Sequence, residues 1–380
     1  MNQPFKEKTA GFHRILVVPL DWGLGHATRC IPIIRELLAQ NCEVWLAGEG
    51  AQEQLLKAEF PDLPFLHLPG YNIRYAKTKR GLVWKMISQV SKINRTIRYE
   101  QQWLKQVIDE YKFDTVISDN RYGLYHSSIP CIFITHQLLI KSSVGKWTER
   151  LLQKKNYHYI NKFSACWIPD FADKDNLAGE LSHPSIKPIV PVHYIGLLSR
   201  FDKNNPANND TSAKKDHLLI MLSGPEPQRS IFEEKIIADI SHYNGTATIV
   251  RGLPGSASLI PSTNMLKFYN HLSADDLLVE MQKAELIIAR SGYSSIMDIM
   301  ALQKKSILIP TPGQTEQEYL GKYLMEKRMA ICLAQKDFSL NAALTESGNF
   351  DYTFPQFSND VPLRKTIELF LHQVANPALG

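Results

Sequence analysis

Apolar positions along this chain follow two alternating rhythms. Short unbroken apolar runs read as buried strands at Arg14 to Leu20, Cys42 to Ala47, Leu63 to Leu68, Thr115 to Ser118, Cys131 to Thr135 and Cys166 to Pro169. A second set reads the same way at His217 to Ser223, Thr246 to Arg251, Met265 to Phe268, Ala284 to Ala289 and Ser306 to Pro310. Helical patterns lie between them. From about His26 to Gln40, for example, Ile31, Ile34, Leu37 and Leu38 recur on one helical face. Strands interleaved with helices predict parallel sheets. The two sets are separated by RFDKNNPANNDTSAKKD, residues 200–216, which is nearly devoid of apolar residues and rich in turn formers. The expected division is a Rossmann-like domain over 13–199, a linker over 200–216 and a second Rossmann-like domain over 217–361. A C-terminal segment, 362–380, carries the amphipathic pattern Leu363 to Val374 and is expected to pack back on the first domain.

Two of the strand-to-helix junctions carry candidate chemistry. In the first, Ile15-Leu16-Val17-Val18-Pro19 runs into Leu20-Asp21-Trp22-Gly23-Leu24-Gly25-His26. Gly23 and Gly25 permit a tight turn and close backbone approach. His26 then projects from the first helical turn, where an imidazole can take a proton from an alcohol near neutral pH. A capping or core-edge histidine is the alternative. The dinucleotide fingerprint is absent, because Thr28 stands where its third glycine would be. In the second junction, Glu285-Leu286-Ile287-Ile288-Ala289 breaks at Arg290-Ser291-Gly292 and passes into a helix containing Ser294, Ser295 and Asp298. A strand that ends in small residues and opens a helix offers backbone N–H groups and a positive dipole end to a phosphate. Asp298, in the second turn, is placed to reach back to a ribose. Glu316 and Gln317 follow the next strand, at the end where open α/β sheets hold ligands.

Composition narrows the classes. With 380 residues, the chain exceeds one ordinary core, so two domains are expected. No apolar run approaches the roughly 20 residues needed to cross a bilayer, and the polar start does not resemble a signal peptide. Five scattered cysteines (Cys30, Cys42, Cys131, Cys166, Cys332) have no metal-ligand spacing and read as reduced thiols of a cytoplasmic protein. Residues 74–98 hold eight basic residues and no acidic one, interleaved with Leu82, Val83, Trp84, Met86, Ile87, Val90 and Ile93. This stretch fits peripheral contact with an anionic membrane surface, at the inner face, or a cationic helix face packed on its sheet. No nucleic-acid module accompanies the charge, and a net +5 is too modest to argue alone.

The motifs GLGHATR, RSGYSSIMD and PTPGQTEQEYLG, in this order along the chain, resemble those of GT-B fold glycosyltransferases of the family 28 type. That type includes the N-acetylglucosaminyltransferase of peptidoglycan lipid-intermediate synthesis, and the chain is also similar to UDP-glycosyltransferases of small-molecule acceptors. The resemblance implies an α/β, GT-B fold with two Rossmann-like domains whose parallel sheets face a central cleft. It implies that Ser291, Gly292, Ser294 and Ser295, opened by Arg290, hold a diphosphate, that Asp298 holds ribose hydroxyls, and that Glu316 and Gln317, with Gln314 in the same motif, hold the sugar. Gly25 belongs to the first glycine-rich turn. Ser223 and Gly224 occupy the place of the second domain's first glycine-rich loop, with Arg229 as a counter-charge or a solvated surface residue. Leu272 lies in the loop that reads the base. Asp119 falls near the acid that orients the histidine in plant-type enzymes, with loop capping as its alternative. Leu320 replaces the asparagine usual after the sugar-binding pair, and Asp21-Trp22 replaces small residues in the first turn.

The leading expectation is therefore an inverting glycosyltransferase that moves a sugar from a nucleotide-sugar donor, UDP-linked, to a hydroxyl acceptor, lipid-linked or from the cell envelope. His26 is the base and Asp119 its partner. The helix end at Ser294 acts on the diphosphate, with no cofactor and no metal, since no DxD-type pair ends a strand. Two other functions remain open: an epimerase or hydrolase of nucleotide sugars on the same fold, and a non-catalytic nucleotide-sugar binder.

Overall fold

The computed structural model describes residues 12–71, 82–201, 213–253, 256–355 and 362–375, with backbone alone for 82–91. These residues form two compact units. The first comprises the chain up to Asn176, the stretch Glu180–Leu198 and the last helix; the second comprises Leu177–Gly179 and the chain from Ser199 up to that helix.

In the first unit, strands β1 (Arg14–Pro19), β2 (Glu43–Gly48), β3 (Phe65–His67), β4 (Thr115–Asp119), β5 (Cys131–Ile134), β6 (Ala165–Ile168) and β7 (Val192–Tyr194) form one sheet, ordered β3-β2-β1-β4-β5-β6-β7. Every pairing is parallel. All six residues of β1 are buried, as are all those of β4, β5 and β6. That is why these strands read as unbroken apolar runs: helices cover both faces of a parallel sheet, leaving no solvated side to alternate. Helices α1 (Leu24–Ala39), α2 (Gly50–Glu59), α3 (Leu82–Tyr111) and α4 (Lys146–Ile160) connect them. The last helix, Pro362–Ala375, packs on α1, where Arg364 pairs with Glu36 and Phe370 meets Trp167 edge-on at 5.7 Å.

The second unit repeats the plan. Strands β8 (His217–Met221), β9 (Thr246–Val250), β10 (Leu266–Tyr269), β11 (Leu286–Ala289), β12 (Lys305–Leu308) and β13 (Ile331–Cys332) are ordered β10-β9-β8-β11-β12-β13, all parallel. Between and after these strands lie α5 (Gln228–Ile240), α6 (Ala274–Lys283), α7 (Tyr293–Ala301), α8 (Thr315–Glu326) and α9 (Leu340–Gly348), and the helix Pro362–Ala375 is α10. Its own core gathers Phe232, Ile236, Ile288, Ile307, Ile309 and Ile331 with their neighbours.

Both sheets confirm the expected parallel α/β architecture. Two short strands, β7 and β13, were not anticipated. Three and two residues long, each pairs with the sheet through one neighbour only, so neither carries enough apolar residues to show a pattern. Of the basic stretch 74–98, residues 74–81 lie outside the described residues, and 82–98 fall within α3. Of the linker, residues 202–212 lie outside them. All five cysteines are free, four of them buried. No helix among the described residues is long and apolar enough to cross a membrane.

Candidate active site

Each sheet reverses its strand order once, and at such a switch point two successive strand ends diverge and leave a crevice. In the first unit the reversal falls between β1 and β4, with Pro19 level with Asp119. In the second it falls between β8 and β11, with Met221 level with Ala289. Most candidate residues follow these four strand ends; Leu272 follows β10, and Gln314, Glu316 and Gln317 follow β12.

After β1 the chain turns at Gly23, whose φ of +82° is a conformation that favours glycine. Gln52 clamps this turn by donating to the carbonyls of Leu20 and Gly23. The Asp21 carboxylate accepts the Tyr71 N–H at 2.9 Å, and Glu49 accepts that of Gly70 at 2.7 Å. Trp22, 42% exposed, stands edge-on to Tyr71. A cavity of about 470 Å³ opens here, lined by Asp21, Gly23, Leu24, Glu49, Gly50, Ala51 and Gln52. The turn delivers Gly25 and His26 into the first turn of α1.

His26 Nδ1 lies 2.9 Å from Asp119 Oδ2, with the histidine side chain 16% exposed and the carboxylate buried. Asp119 also receives Arg29, one turn further along α1, whose Nε lies 2.9 Å from Oδ2 and whose Nη2 contacts Oδ1. Burial alone would raise the Asp119 pKa. Arg29 and then His26 outweigh it and hold the carboxyl below its ordinary value. Burial, followed by the charge of Arg29, lowers the pKa of His26, against Asp119, which raises it. A carboxylate at Nδ1 leaves Nε2 as the nitrogen that can serve a substrate.

In the second unit, Arg290 is buried beneath the loops. Its guanidinium donates to the carbonyls of Gln228 (2.8 Å), Ile309 (3.2 Å), Ser223 (3.4 Å) and Pro310 (3.5 Å), and its burial lowers its pKa to about 10. It thereby ties together the loops after β8, β11 and β12. The Ser291 hydroxyl donates to the Gln317 carbonyl at 2.8 Å. Gln317 accepts the Thr311 N–H at 2.8 Å and donates to Gln314 at 2.6 Å, so its side chain ties the loop after β12 to the first turn of α8, which carries Glu316. Gly292 caps α7 with φ −74°, and a Cβ built there meets nothing within 4 Å. Ser294 and Ser295 are half-buried beside it, and Ser223 and Gly224 are exposed after β8.

Two expected donor residues have partners within the second unit, and a third lines a cavity there. Asp298 is buried in α7, where it accepts the Ser199 hydroxyl at 2.8 Å and pairs with Arg200 at 3.3 Å. Burial raises its pKa against these two partners. Arg229 pairs with Glu226 and Glu233 rather than standing open, and Glu233 continues to Arg251. Leu272 lines a separate cavity of about 230 Å³ with Tyr269, Asp276, Val279, Glu280 and Lys283. Sequence reasoning did not single out Arg29, His136, Ser199 or Arg200. Arg29 had one available signal, its i,i+3 spacing from His26; the others become visible only through contacts between segments far apart in the chain.

With this geometry in hand, residues 264–356 match the model of the glycosyltransferase family 28 C-terminal domain. The chain is 21% identical over 329 residues to an uncharacterized glycosyltransferase of Methanosarcina acetivorans, covering 80% of this chain and 81% of that one. It is 23% identical over 381 residues to the UDP-N-acetylglucosamine--N-acetylmuramyl-(pentapeptide) pyrophosphoryl-undecaprenol N-acetylglucosamine transferase of Coxiella burnetii (strain RSA 331 / Henzerling II), covering 96% and 95%. Among solved structures, the calicheamicin glycosyltransferase CalG4 matches with a TM-score of 0.60 over 96% of this chain and 94% of that one at 10% identity, a likeness of fold.

Proposed function

We propose that this chain, a glycosyltransferase of the family 28 type with the GT-B fold, transfers a sugar with inversion from a UDP-linked donor to a hydroxyl of a lipid-linked or cell-envelope acceptor. The observation that carries the reading is the contact between His26 Nδ1 and Asp119 Oδ2, 2.9 Å, at the strand-order reversal of the first sheet.

In this reading the acceptor hydroxyl gives its proton to His26 Nε2 as its oxygen attacks the anomeric carbon. The bond from that carbon to the diphosphate oxygen breaks, and the nucleoside diphosphate leaves with the electron pair. Asp119 holds the ring through Nδ1 and offsets the imidazolium that forms. The departing charge is received by the loop Ser223–Gly224 and by the start of α7, Gly292 to Ser295. Gly292 supports this assignment: neither its backbone angle nor its packing demands glycine, whereas a ligand approaching the backbone closely does. Asp298 takes the ribose hydroxyls in exchange for its contacts with Ser199 and Arg200. Glu316 and Gln317, in the first turn of α8 and braced by Gln314 at its N-cap, face the sugar, and Arg290 holds the three loops in register.

The UDP donor and the lipid-linked acceptor are supported by the name of the Coxiella relative, which carries both. Cytoplasmic residence at the inner membrane face goes with that acceptor and with the basic stretch 74–98.

Calorimetric titration of the full chain with UDP, GDP, dTDP and ADP, with and without magnesium, tests the donor site. Selective UDP binding, unchanged by magnesium, is expected. No response from a well-folded sample to any of the four would sink the reading. Once a donor and acceptor pair is found, His26→Ala is expected to bind UDP as the parent does and to lose about 10²–10⁴-fold in transfer rate. Undiminished transfer would remove His26 as the base.

A further inference from the structure

His26 is not alone with Asp119. Arg29 places its Nη2 2.9 Å from His26 Nδ1, while the same guanidinium grips both oxygens of Asp119. Its other terminal nitrogen, Nη1, reaches His136 Nδ1 at 3.2 Å. His136 is buried just beyond the end of β5, so three strand and helix ends meet at one guanidinium. The titratable groups that face His26 are Arg29 on its own helix, Asp119 at the end of β4 and His136 beyond β5. Cys30 Sγ lies 4.0 Å from Asp119 Oδ2, and burial raises the Cys30 thiol well above its ordinary pKa, so it stays neutral beside them.

The donor inventory makes this arrangement informative. A guanidinium has five N–H donors and no lone pair. His136 Nδ1 must therefore be the acceptor in its contact with Arg29. At His26 Nδ1 the two neighbours make opposite demands. Asp119 requires an N–H there, which leaves the Nε2 lone pair available. Arg29 requires a lone pair there, which puts the ring proton on Nε2. One atom cannot satisfy both, so the balance between Arg29 and Asp119 decides which nitrogen of His26 is basic.

We infer that Arg29, anchored by His136, is a positioning residue for the His26–Asp119 pair: it fixes the carboxylate by a two-point grip and sets a permanent positive charge against protonation of the ring. The inference rests on the reading of His26 as base, and it adds that the ring stays neutral at lower pH than a histidine with a carboxylate alone, Nε2 being basic in the tautomer that Asp119 selects. The same charge disfavours the imidazolium formed during transfer, so stabilising that cation is left to Asp119. A purely architectural arginine would hold the loops together without governing the ring's proton.

The test reads His26 directly and needs no substrate. Full-length protein carrying ¹³C- and ¹⁵N-labelled histidine is titrated by NMR, with the His26 signal assigned by its loss in His26→Gln. In Arg29→Gln the midpoint of His26 is expected to rise by about one pH unit or more, since a like charge a few ångströms away is removed and Asp119 is left to favour the cation. The ¹⁵N shifts should move toward the tautomer protonated at Nδ1. Arg29→Lys, which keeps the charge, should restore most of the low midpoint. An unchanged midpoint and tautomer in Arg29→Gln, with a cooperative melt showing that it folds, would overturn the inference. If Arg29→Gln does not fold, His136→Phe decides: freeing one end of Arg29 is expected to shift the His26 midpoint or tautomer, and no shift overturns the proposal. Because no transfer is measured, a failed search for donor and acceptor leaves this result standing, and an unchanged titration leaves the transferase reading intact.

Discussion

At the residue scale, Gly292 is where the proposed function separates most clearly from stability. Most glycines in tight turns are needed by the backbone itself, as Gly23 and Gly224 are, with φ of +82° and +101°. Gly292 has an ordinary helical-entry conformation, and open space lies where its Cβ would be. Gly292→Ala is therefore expected to change the unfolding free energy by no more than a few tenths of a kcal/mol up to about 1 kcal/mol, the range for glycine to alanine at a helix N-cap. UDP affinity should fall at least tenfold, because the new methyl occupies the ligand's approach. Calorimetry and thermal melting on the same sample check both. Normal affinity with a lowered melting temperature would show that the glycine serves packing instead. Other residues at this scale were only partly legible. His26 stood out in the sequence because a histidine directly after a glycine turn projects from a strand end, and folding sets Asp119 beside it. Arg229 reads in the sequence as a counter-charge or a solvated surface residue, and folding places beside it Glu226, in the turn before α5, and Glu233, one turn further along that helix.

At the element scale, α6, in the unit that does not carry His26, makes a pH-sensitive contribution. Glu280 accepts from Thr248 Oγ1 at 2.6 Å and Lys283 at 2.8 Å, and lies 3.6 Å from His217 Nε2. The contact with His217 chiefly, then Lys283 and Thr248, lower its pKa to about 2 against an opposing effect of burial. A carboxyl depressed in the folded state stabilises it above the unfolded value and loses that contribution as pH falls through the folded one. The full chain should therefore lose stability between about pH 4.5 and 2 in part through this group. Glu280→Gln should be less stable near pH 6 and lose less on acidification. Parallel urea melts at pH 6 and pH 3 check this, and equal slopes in both proteins would count against Glu280. Element type was largely readable in the chain, since strands buried on both faces leave unbroken apolar runs and the covering helices leave periodic ones. Element ends were less so. Helix α7 begins at Tyr293, where a sequence reading favours Ser294, and α1 begins at Leu24, so His26 already lies inside the helix.

At the scale of the whole molecule, the last helix returns to the first unit instead of ending the second. Phe370 packs edge-on against the buried Trp167 of β6, and Arg364 pairs with Glu36 on α1. The ion pair is exposed on its arginine side and is worth at most about 1 kcal/mol. The ring contact should dominate. Phe370→Ala is expected to cost about 1–3 kcal/mol, below the range for a fully buried aromatic because Phe370 is half-buried. UDP affinity should stay unaltered, since the proposed nucleotide contacts lie in the other unit. A scanning calorimetry trace with and without UDP would reveal both effects. Loss of UDP binding at full occupancy of the folded state would contradict this division of labour.

Taken by itself, the order of apolar runs, glycine turns and polar linker determined the architecture: two parallel α/β units, each with a glycine turn between a strand and the helix that follows. Those features are local and periodic, because a strand covered on both faces needs successive apolar residues and a tight turn needs glycine. The partners that charged groups find far along the chain were decided only by the tertiary structure. Arg29, Asp119 and His136 come from separate segments and meet because β1, β4 and β5 are neighbours in one sheet. Asp298 looked open to a ribose, yet folding brings Ser199 and Arg200 onto it across about a hundred positions of chain. Charge pairing over such separations has no period and no composition, so it leaves no trace in the order of residues. The sheet decides it by setting which strand ends lie side by side.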